Sequence, residues 1–315
     1  MRICVVGSGV IGTIYGLVLT VAGNDVTHYV RPGSGGRLRA GVDVNLLDAR
    51  GEAPVETSRR YSPPVVERLA GKPAFDLILA SVRHDALPTL LPVLADGVGD
   101  AEILLFNDLW TSFEPIDAVL GERYLWGFPV AGGGFEDGRL EAALLGTVRI
   151  GSPPGAAAAR LQSVGRLFGG CGLDVEFEPN ILSWLWVHFA TEAGIIGAAA
   201  KAGGVAAFLD DVEQIANGVL AVRDALAVVT ARGIDVAMVP DAQMFLAPER
   251  EVAAAIHQLY AIDRAARKIM ERHTGGAELK RIYGDVVETR RRLGGPMPTL
   301  AACGPFVEAL PDARG

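Results

Sequence analysis

The first third of the chain alternates short β-branched runs with longer apolar stretches. Such runs predict strands over residues 2–6, 26–30, 77–81 and 103–106. The stretch 11–22 between the first two runs is apolar nearly throughout, as a helix packed on a sheet is, and it is followed by the stop residues Gly23 and Asn24. This order predicts a β-α-β unit in a parallel sheet that is covered by helices.

The pattern changes in the second half of the chain. Residues 139–143 and 147–151 flank 144–146 and are interpreted as a hairpin that closes the sheet, followed by a helix and a last strand near 175–177. Beyond Glu178 the pattern predicts helices alone, over 181–200, 210–232, 248–272 and 277–293. We therefore expect an α/β fold class with two domains, a sheet domain over 1–178 and an all-helical domain over 179–315.

Composition narrows the class of protein. Of the 315 residues, 50% are hydrophobic and 21% charged, which is too apolar for a disordered chain, and the net charge of −8 disfavours a nucleic-acid partner. Three scattered cysteines suit neither a disulfide framework nor a metal site, so we expect a cytoplasmic location and no metal. Glycines interrupt the apolar N-terminus before an export signal forms. The apolar segment 186–209 contains ionisable side chains, so we expect a buried helix rather than a membrane span.

A glycine-rich motif directly follows the first predicted strand and opens the first predicted helix. In this Gly-x-Gly-x-x-Gly pattern, Gly7 allows a tight turn, Gly9 lets a pyrophosphate approach the backbone, and Gly12 lets helix and strand pack closely. In its β-α-β context the motif predicts a Rossmann domain that binds a dinucleotide; the alternative is a glycine-rich turn without a ligand. The predicted cofactor-binding residues of this loop are Gly7, Ser8, Gly9, Val10, Ile11 and Gly12.

The end of the second predicted strand selects the dinucleotide. An acidic side chain there binds the ribose 2′-hydroxyl of NADH, whereas an arginine accommodates the 2′-phosphate of NADPH. Arg31 follows the strand, and Asp25 precedes it, where it is wrongly placed for the ribose. We therefore predict NADPH, bound by Arg31 with help from Arg37 or Arg39; the alternative is that Arg31 is an ordinary solvated arginine.

The motifs together resemble the ketopantoate reductase (2-dehydropantoate 2-reductase) family over nearly the whole chain. The resemblance rests on GSGVIG, on Arg31 with Pro32-Gly33, on ILLFN ending in Asn107, on the helix led by Trp186, and on 278–284 followed by PMP at 296–298. It implies a Rossmann domain joined to a helical domain like that of 6-phosphogluconate dehydrogenase. It also implies reduction of ketopantoate to pantoate with NADPH, which is a step of pantothenate biosynthesis.

The functional positions of the family carry over in part. Asn107 matches the family's asparagine near the nicotinamide, and Glu278 matches its glutamate at the substrate and ribose end. Arg83 stands where the family usually has a lysine near the cofactor, which keeps the positive charge but not its shape. Asp108 replaces the glycine that normally follows the asparagine. The resemblance therefore implies that Arg83 and Asn107 bind the cofactor and that Glu278 belongs to the catalytic site.

The helix led by Trp186 departs from the family pattern. His188 stands at the catalytic lysine position, and Glu192 and Ile196 replace two asparagines. A histidine protonates an alkoxide usefully when a carboxylate keeps it charged, and Glu192 lies one helical turn further on the same face. We therefore predict a catalytic dyad of His188 and Glu192. The alternative is a structural pair, in which the two side chains only satisfy each other's polar groups in a buried helix.

The sequence favours a reductase and leaves two alternatives open. We expect an NADPH-dependent reductase of a small ketone or 2-keto acid, without nucleic-acid or membrane partners, whose apolar helices suit either a core or a homodimer contact. Replacing a lysine and two asparagines by His188, Glu192 and Ile196 makes the predicted pocket less cationic, which favours a neutral ketone or an imine over an α-keto carboxylate. The alternatives are an imine or opine-type reductase of secondary metabolism and a non-catalytic NADPH-binding sensor.

Overall fold

The computed structural model describes residues 1–69, 75–155, 158–273 and 275–312. The chain forms two compact units, Met1–Leu182 and Ser183–Gly315, and each is described by itself. The first unit is built on one sheet, and the second is helical, so the α/β fold class followed by a helical region is confirmed.

One mixed sheet forms the centre of the first unit. Its strands are β1 (Arg2–Val6), β2 (Asp25–Tyr29), β3 (Val42–Ala49), β4 (Val55–Tyr61), β5 (Val65–Val66), β6 (Leu77–Ala80), β7 (Glu102–Phe106), β8 (Tyr124–Glu136), β9 (Arg139–Gly151) and β10 (Asp174–Glu178). They lie in the order β4-β3-β9-β8-β7-β6-β1-β2-β5, and β10 also pairs with β9. Neighbours from β8 to β5 in this order run parallel, whereas β3–β4 and β8–β9 are antiparallel.

Helices pack on this sheet and bury its apolar side chains. They are α1 (Val10–Val21), α2 (Gly36–Ala40), α3 (Leu87–Gly97), α4 (Glu114–Leu120) and α5 (Ala158–Gly169), with a 3-10 turn at His84–Ala86. At the centre of the core, the ring of Tyr15 on α1 meets the ring of Phe106 edge-on with centroids 4.7 Å apart. The ring of Phe168 stacks on Phe106 at 5.9 Å. These aromatic contacts join helices on the sheet to β7, the strand that directly precedes Asn107.

The hairpin predicted around 144–146 is wrong. Residues 139–151 form the single strand β9, and its antiparallel partner is β8. The turn between them is Asp137-Gly138, with φ of 49° and 81°, a left-handed pair typical of two-residue hairpin turns. Gly146 lies inside β9, where the register with β8 shifts between Pro129 and Ala131. A glycine inside a strand often marks such a bulge, and the sequence analysis took it for a turn.

Helices make up the second unit, whose first helix is α6 (Ile181–Lys201). It continues with α7 (Val205–Leu209), α8 (Val212–Ala231), α9 (Pro240–Gln243), α10 (Glu249–Ile262), α11 (Arg264–Arg272), α12 (Gly276–Leu293), α13 (Pro298–Ala301) and α14 (Gly304–Glu308), with 3-10 turns at Val236–Met238 and Met244–Leu246. Helix α8 contacts α7, α10, α12 and α13. The predicted helix 248–272 is interrupted at Asp263, because this side chain accepts hydrogen bonds from the first amides of α11.

Two helices in the described part of the chain are long and apolar enough to cross a membrane, judged by length and composition alone. They are α6 and α8, and 61% and 56% of their apolar windows are buried inside the protein. Core helices of globular proteins have the same features, so these helices are weak grounds for a membrane span.

Candidate functional site

Parallel strands bring the predicted cofactor residues to one edge of the sheet. The glycine loop follows β1, Arg31 comes after β2, Arg83 after β6, and Asn107 directly after β7. These four strands are adjacent and parallel, so their carboxyl ends meet at the same edge. Open α/β sheets bind ligands at this edge.

The loop conformation requires glycine at two positions. Gly7 has φ of +119°, and a Cβ atom there would overlap the carbonyl oxygen of Ser81. A Cβ on Gly12 would lie 2.9 Å from the carbonyl oxygen of Gly7. Gly9 differs, because a Cβ there would meet nothing within 4 Å. The loop is therefore tightly packed against the protein at Gly7 and Gly12, and it is open at Gly9.

Helix α1 begins at this open side without a side-chain cap. Its N-cap residue is Gly9, so no side chain accepts from the first-turn amides, and the first turn contains no acidic residue. The amides of a first helical turn have no partners within the helix, and the helix dipole favours an anion beside them. The uncapped amides and the helix dipole would suit a phosphate at Val10 and Ile11.

The three candidate arginines for a 2′-phosphate have different surroundings. Arg31 is exposed, and its side chain makes no hydrogen bond or ion pair with the residues that the structure describes. The guanidinium of Arg37 lies 3.9 Å from the ring centroid of Phe135. Arg39 donates to Glu67 at 2.7 Å. Arg31 is therefore the arginine whose charge is available at the end of β2.

Arg83 and Asn107 lie on the same edge with different partners. Arg83 donates to Asp85 through Nε at 3.0 Å, and its side chain is 57% exposed. Asn107 is 7% exposed and is held through its backbone, because Trp126 Nε1 donates to its carbonyl oxygen at 2.8 Å. The Asn107 side-chain Oδ1 is buried and has no hydrogen-bond partner within the described ranges. A buried amide oxygen of this kind is an acceptor that suits a ligand N–H.

In the second unit, one face of α6 carries the predicted acid. The rings of Trp184 and His188 stack one turn apart, with centroids 5.0 Å apart and an interplanar angle of 17°. The indole is fixed in turn, because Trp184 Nε1 donates to Asp241 Oδ2 at 2.7 Å. A ring nitrogen of His188 and a carboxylate oxygen of Glu192 lie within 4.8 Å of each other. This face therefore holds the imidazole in a defined plane beside a carboxyl group.

Glu192 is a carboxyl group that retains its proton near neutral pH. Its Oε1 lies 3.4 Å from Nδ1 of His273, and its buried Oε2 has no hydrogen-bond partner in the described part of the chain. Burial, and second the negative charge of Glu278, raise the pKa of Glu192 to about 8. Glu278 lies in the first turn of α12, so α6 and α12 together place two carboxyl groups near one another.

Two residues of this cluster, Asp241 and His273, were not predicted from the sequence. Neither shares a helix with His188, and neither has a motif around it. The family resemblance was the only signal that placed Glu278 with the α6 face, and it assigned nothing to Asp241 or His273.

Solved structures share this fold over nearly the whole chain. The structure of D-mandelate dehydrogenase with NADH and anilino(oxo)acetate matches 98% of this chain and 98% of its own, with a TM-score of 0.71 and 17% identity. The 2-dehydropantoate 2-reductase of Geobacter metallireducens GS-15 matches 98% of this chain and 99% of its own, with a TM-score of 0.70 and 17% identity. At such identities the likeness shows the fold alone.

Sequence comparisons match part of the chain to a known family. A 2-dehydropantoate 2-reductase of Pyrococcus horikoshii is 27% identical over 199 residues, which make up 62% of this chain and 62% of that relative. The match thus spans less than two thirds of the relative's length. Residues 3–155 match the family model described as ketopantoate reductase PanE/ApbA, and this range contains the glycine loop, Arg31, Arg83 and Asn107. The resemblance is confirmed for residues 3–155, which form a ketopantoate reductase PanE/ApbA family domain.

Proposed function

We propose that this protein is an NADPH-dependent oxidoreductase that transfers a hydride to the carbonyl carbon of a small ketone or 2-keto acid. The family match of residues 3–155 supports a reductase, and the relative from Pyrococcus horikoshii is named as one. The observation that carries the proposal is the α6 face, on which His188 stacks on Trp184 within 4.8 Å of the carboxyl of Glu192. An acid is thus present at the position where the resemblance places the catalytic lysine.

The residues of the first unit fit NADPH. The uncapped first turn of α1 and the open space at Gly9 suit the pyrophosphate, and exposed Arg31 suits the 2′-phosphate. The buried Oδ1 of Asn107 suits the carboxamide N–H of a nicotinamide. The cofactor, when bound, supplies the hydride. Glu278 is assigned to the substrate or the ribose, as the family resemblance implies.

Residues of the second unit supply the proton in this proposal. When a hydride adds to a carbonyl carbon, the carbonyl π electrons move to oxygen, and the alkoxide formed takes up one proton. His188 gives that proton. At pH 7 a carboxyl with a pKa of about 8 is mostly protonated, so Glu192 replaces the proton that His188 has lost. Glu192 therefore acts as a proton store, whereas the sequence analysis expected it to be an anion that charges His188.

The test measures NADPH oxidation by the full-length protein with ketopantoate and a panel of neutral ketones. We expect His188→Ala to lower kcat by about 100- to 10,000-fold, the typical contribution of a positioned general acid, while the Kd for NADPH stays unchanged. His257→Ala, a histidine of α10 outside the cluster, is the matched control and should retain activity. If NADPH binds tightly but neither ketopantoate, nor a neutral ketone, nor a cyclic imine is turned over, the result favours a non-catalytic sensor over a reductase.

An imine is the second candidate substrate class, and the two carboxyl groups favour it. Glu192 and Glu278 are close enough for the charge of one to raise the pKa of the other, and Glu192 Oε2 is an acceptor without a partner among the described residues. A protonated imine would bring a positive charge near the two carboxyl groups and an N–H donor for Glu192 Oε2. We expect Glu278→Gln to lower kcat/KM for a cyclic imine more than for the ketone of the same shape. Equal losses for the two substrates would rule out this preference.

A further inference from the structure

A fully buried histidine on β2 contacts the glycine loop from the core of the first unit. His28 is 0% exposed, and its Nδ1 lies 2.9 Å from the carbonyl oxygen of Gly7. Its Nε2 lies 2.9 Å from the hydroxyl of Tyr61, the last residue of β4. A polar connection therefore runs from the β3–β4 hairpin through one imidazole to the first glycine of the loop.

These contacts fix the proton on the imidazole of His28. A carbonyl oxygen only accepts hydrogen bonds, so Nδ1 carries the hydrogen and donates to Gly7. Burial lowers the pKa of His28 to about 4, so the ring is neutral at physiological pH, and Nε2 accepts from the Tyr61 hydroxyl. Gly16 on α1 leaves room for this arrangement, because a Cβ there would lie 2.6 Å from Nε2.

The Gly7 carbonyl oxygen is held from two sides. His28 donates to it, and Gly12 approaches it so closely that a Cβ would lie 2.9 Å away. In a trans peptide the carbonyl and the following N–H point in opposite directions. The Gly7 carbonyl points toward His28 and Gly12, so the N–H of Ser8 points away from both residues. His28 therefore determines the direction of a loop amide that it does not itself contact.

We infer that His28, held by Tyr61, is a positioning residue for the cofactor pyrophosphate. It fixes the Gly7–Ser8 peptide so that the Ser8 amide donates to a phosphate oxygen. This inference rests on the proposed function, because it requires a dinucleotide at the loop. It concerns the pyrophosphate alone, so a ligand that carries only the adenosine 2′-phosphate should not depend on His28.

The test compares two ligands by calorimetric titration of the full-length protein: NADPH, and adenosine 2′-monophosphate, which lacks the pyrophosphate. His28→Leu removes the donor and keeps apolar bulk, so the Kd for NADPH should rise at least about tenfold while that for the monophosphate changes less than about twofold. His28→Asn keeps an N–H near the position of Nδ1 and should restore NADPH binding to within about threefold of wild type. Tyr61→Phe removes the hydroxyl that holds the imidazole of His28. Its loss of NADPH affinity should lie between those of His28→Asn and His28→Leu.

A control and two outcomes separate positioning from general destabilisation. Val26→Ala also changes a buried side chain of β2, and it should lower Tm without altering the ratio of the two Kd values. Equal weakening of both ligands by His28→Leu, or unchanged NADPH binding, would overturn the inference. If His28→Leu does not fold, the ratio of the Kd for NADPH to the Kd for adenosine 2′-monophosphate can still be measured on His28→Asn and Tyr61→Phe. Wild-type protein that binds no NADPH would instead overturn the proposed function.

Discussion

Single side chains of the second unit combine into a proton-holding group. Burial makes ionisation of Glu192 unfavourable, and the charge of Glu278 adds to this effect. His273 contacts one of its oxygens, while Trp184 holds the plane of the neighbouring imidazole. An ordinary surface carboxylate would be ionised at the same pH. The chemistry of this face therefore depends on where α6 and α12 place their carboxyl groups as much as on residue type.

The titration of Glu192 should appear in the stability of the protein. Its pKa is about 8 in the folded state and about 4.3 in the unfolded chain, so the folded state binds one more proton between these values. The stabilisation from this group is complete below about pH 4.3 and is lost as pH rises through 8. We expect the unfolding free energy of Glu192→Gln relative to wild type to increase from pH 5 to pH 8 and then level off.

Urea unfolding of both proteins at a series of pH values measures this difference. Glu251→Gln, at an exposed position on α10, is the matched control and should follow the wild-type curve. Parallel curves for wild type and Glu192→Gln would show that Glu192 titrates alike in both states.

At the scale of elements, the glycines of the loop after β1 have two different roles. Gly7 is required by the packing of the fold, whereas Gly9 leaves space for a ligand. Gly7→Ala places a side chain at φ of +119° and against Ser81, so it should destabilise the domain, typically by 1–3 kcal/mol. Gly9→Ala meets no neighbouring atom within 4 Å, so it should leave Tm unchanged and weaken NADPH binding about tenfold or more. Thermal unfolding and NADPH titration of the two variants check this. A Gly9→Ala protein with wild-type affinity would contradict the assigned phosphate position.

Local sequence signals predicted the elements next to the glycine loop well. The bounds of β1 were predicted correctly, and those of α1, β2, β6 and β7 were predicted within one residue. These segments are apolar runs with clear ends, which the pattern of hydrophobic residues locates well. The β3–β4 hairpin was not predicted. Apolar and polar residues alternate over 42–46 in β3, a strand pattern that was overlooked, whereas Glu56, Arg59 and Arg60 leave β4 without such a pattern. Tyr61 and its contact with His28 therefore could not be expected from the sequence.

The site in the second unit was predictable on one helix only. Spacing alone put His188 and Glu192 on a common face, since residues four apart meet on a helix. Asp241 and His273 come from other helices, and only tertiary packing brings them to Trp184 and Glu192. The shift in the Glu192 pKa follows from that packing, so it could not be predicted from the spacing of residues along α6.

At the scale of the whole molecule, the proposed cofactor residues all lie in the first unit. Ligand that binds only the folded state stabilises it by about 2.7 kcal/mol at one hundred times Kd. NADPH should therefore raise the Tm measured by calorimetry, and NADH at the same concentration should raise it less. Arg31→Gln should remove the difference between the cofactors, whereas Arg39→Gln, whose guanidinium is paired with Glu67, should keep it. A larger shift with NADH would overturn the NADPH assignment.

Strand β9 has a consequence for how the chain is made. It pairs with β8 along its length, with β3 over its first half, and with β10 over its second half. Residue Val44 of β3 pairs with Leu140, far along the sequence. At about 5–20 residues per second, a ribosome needs roughly 5–20 seconds to travel from the end of β4 to the end of β9. During that interval the β3–β4 hairpin has an open edge and little stability of its own. Nascent chains that stall before Gly151 are therefore the ones most exposed to aggregation and most dependent on chaperones.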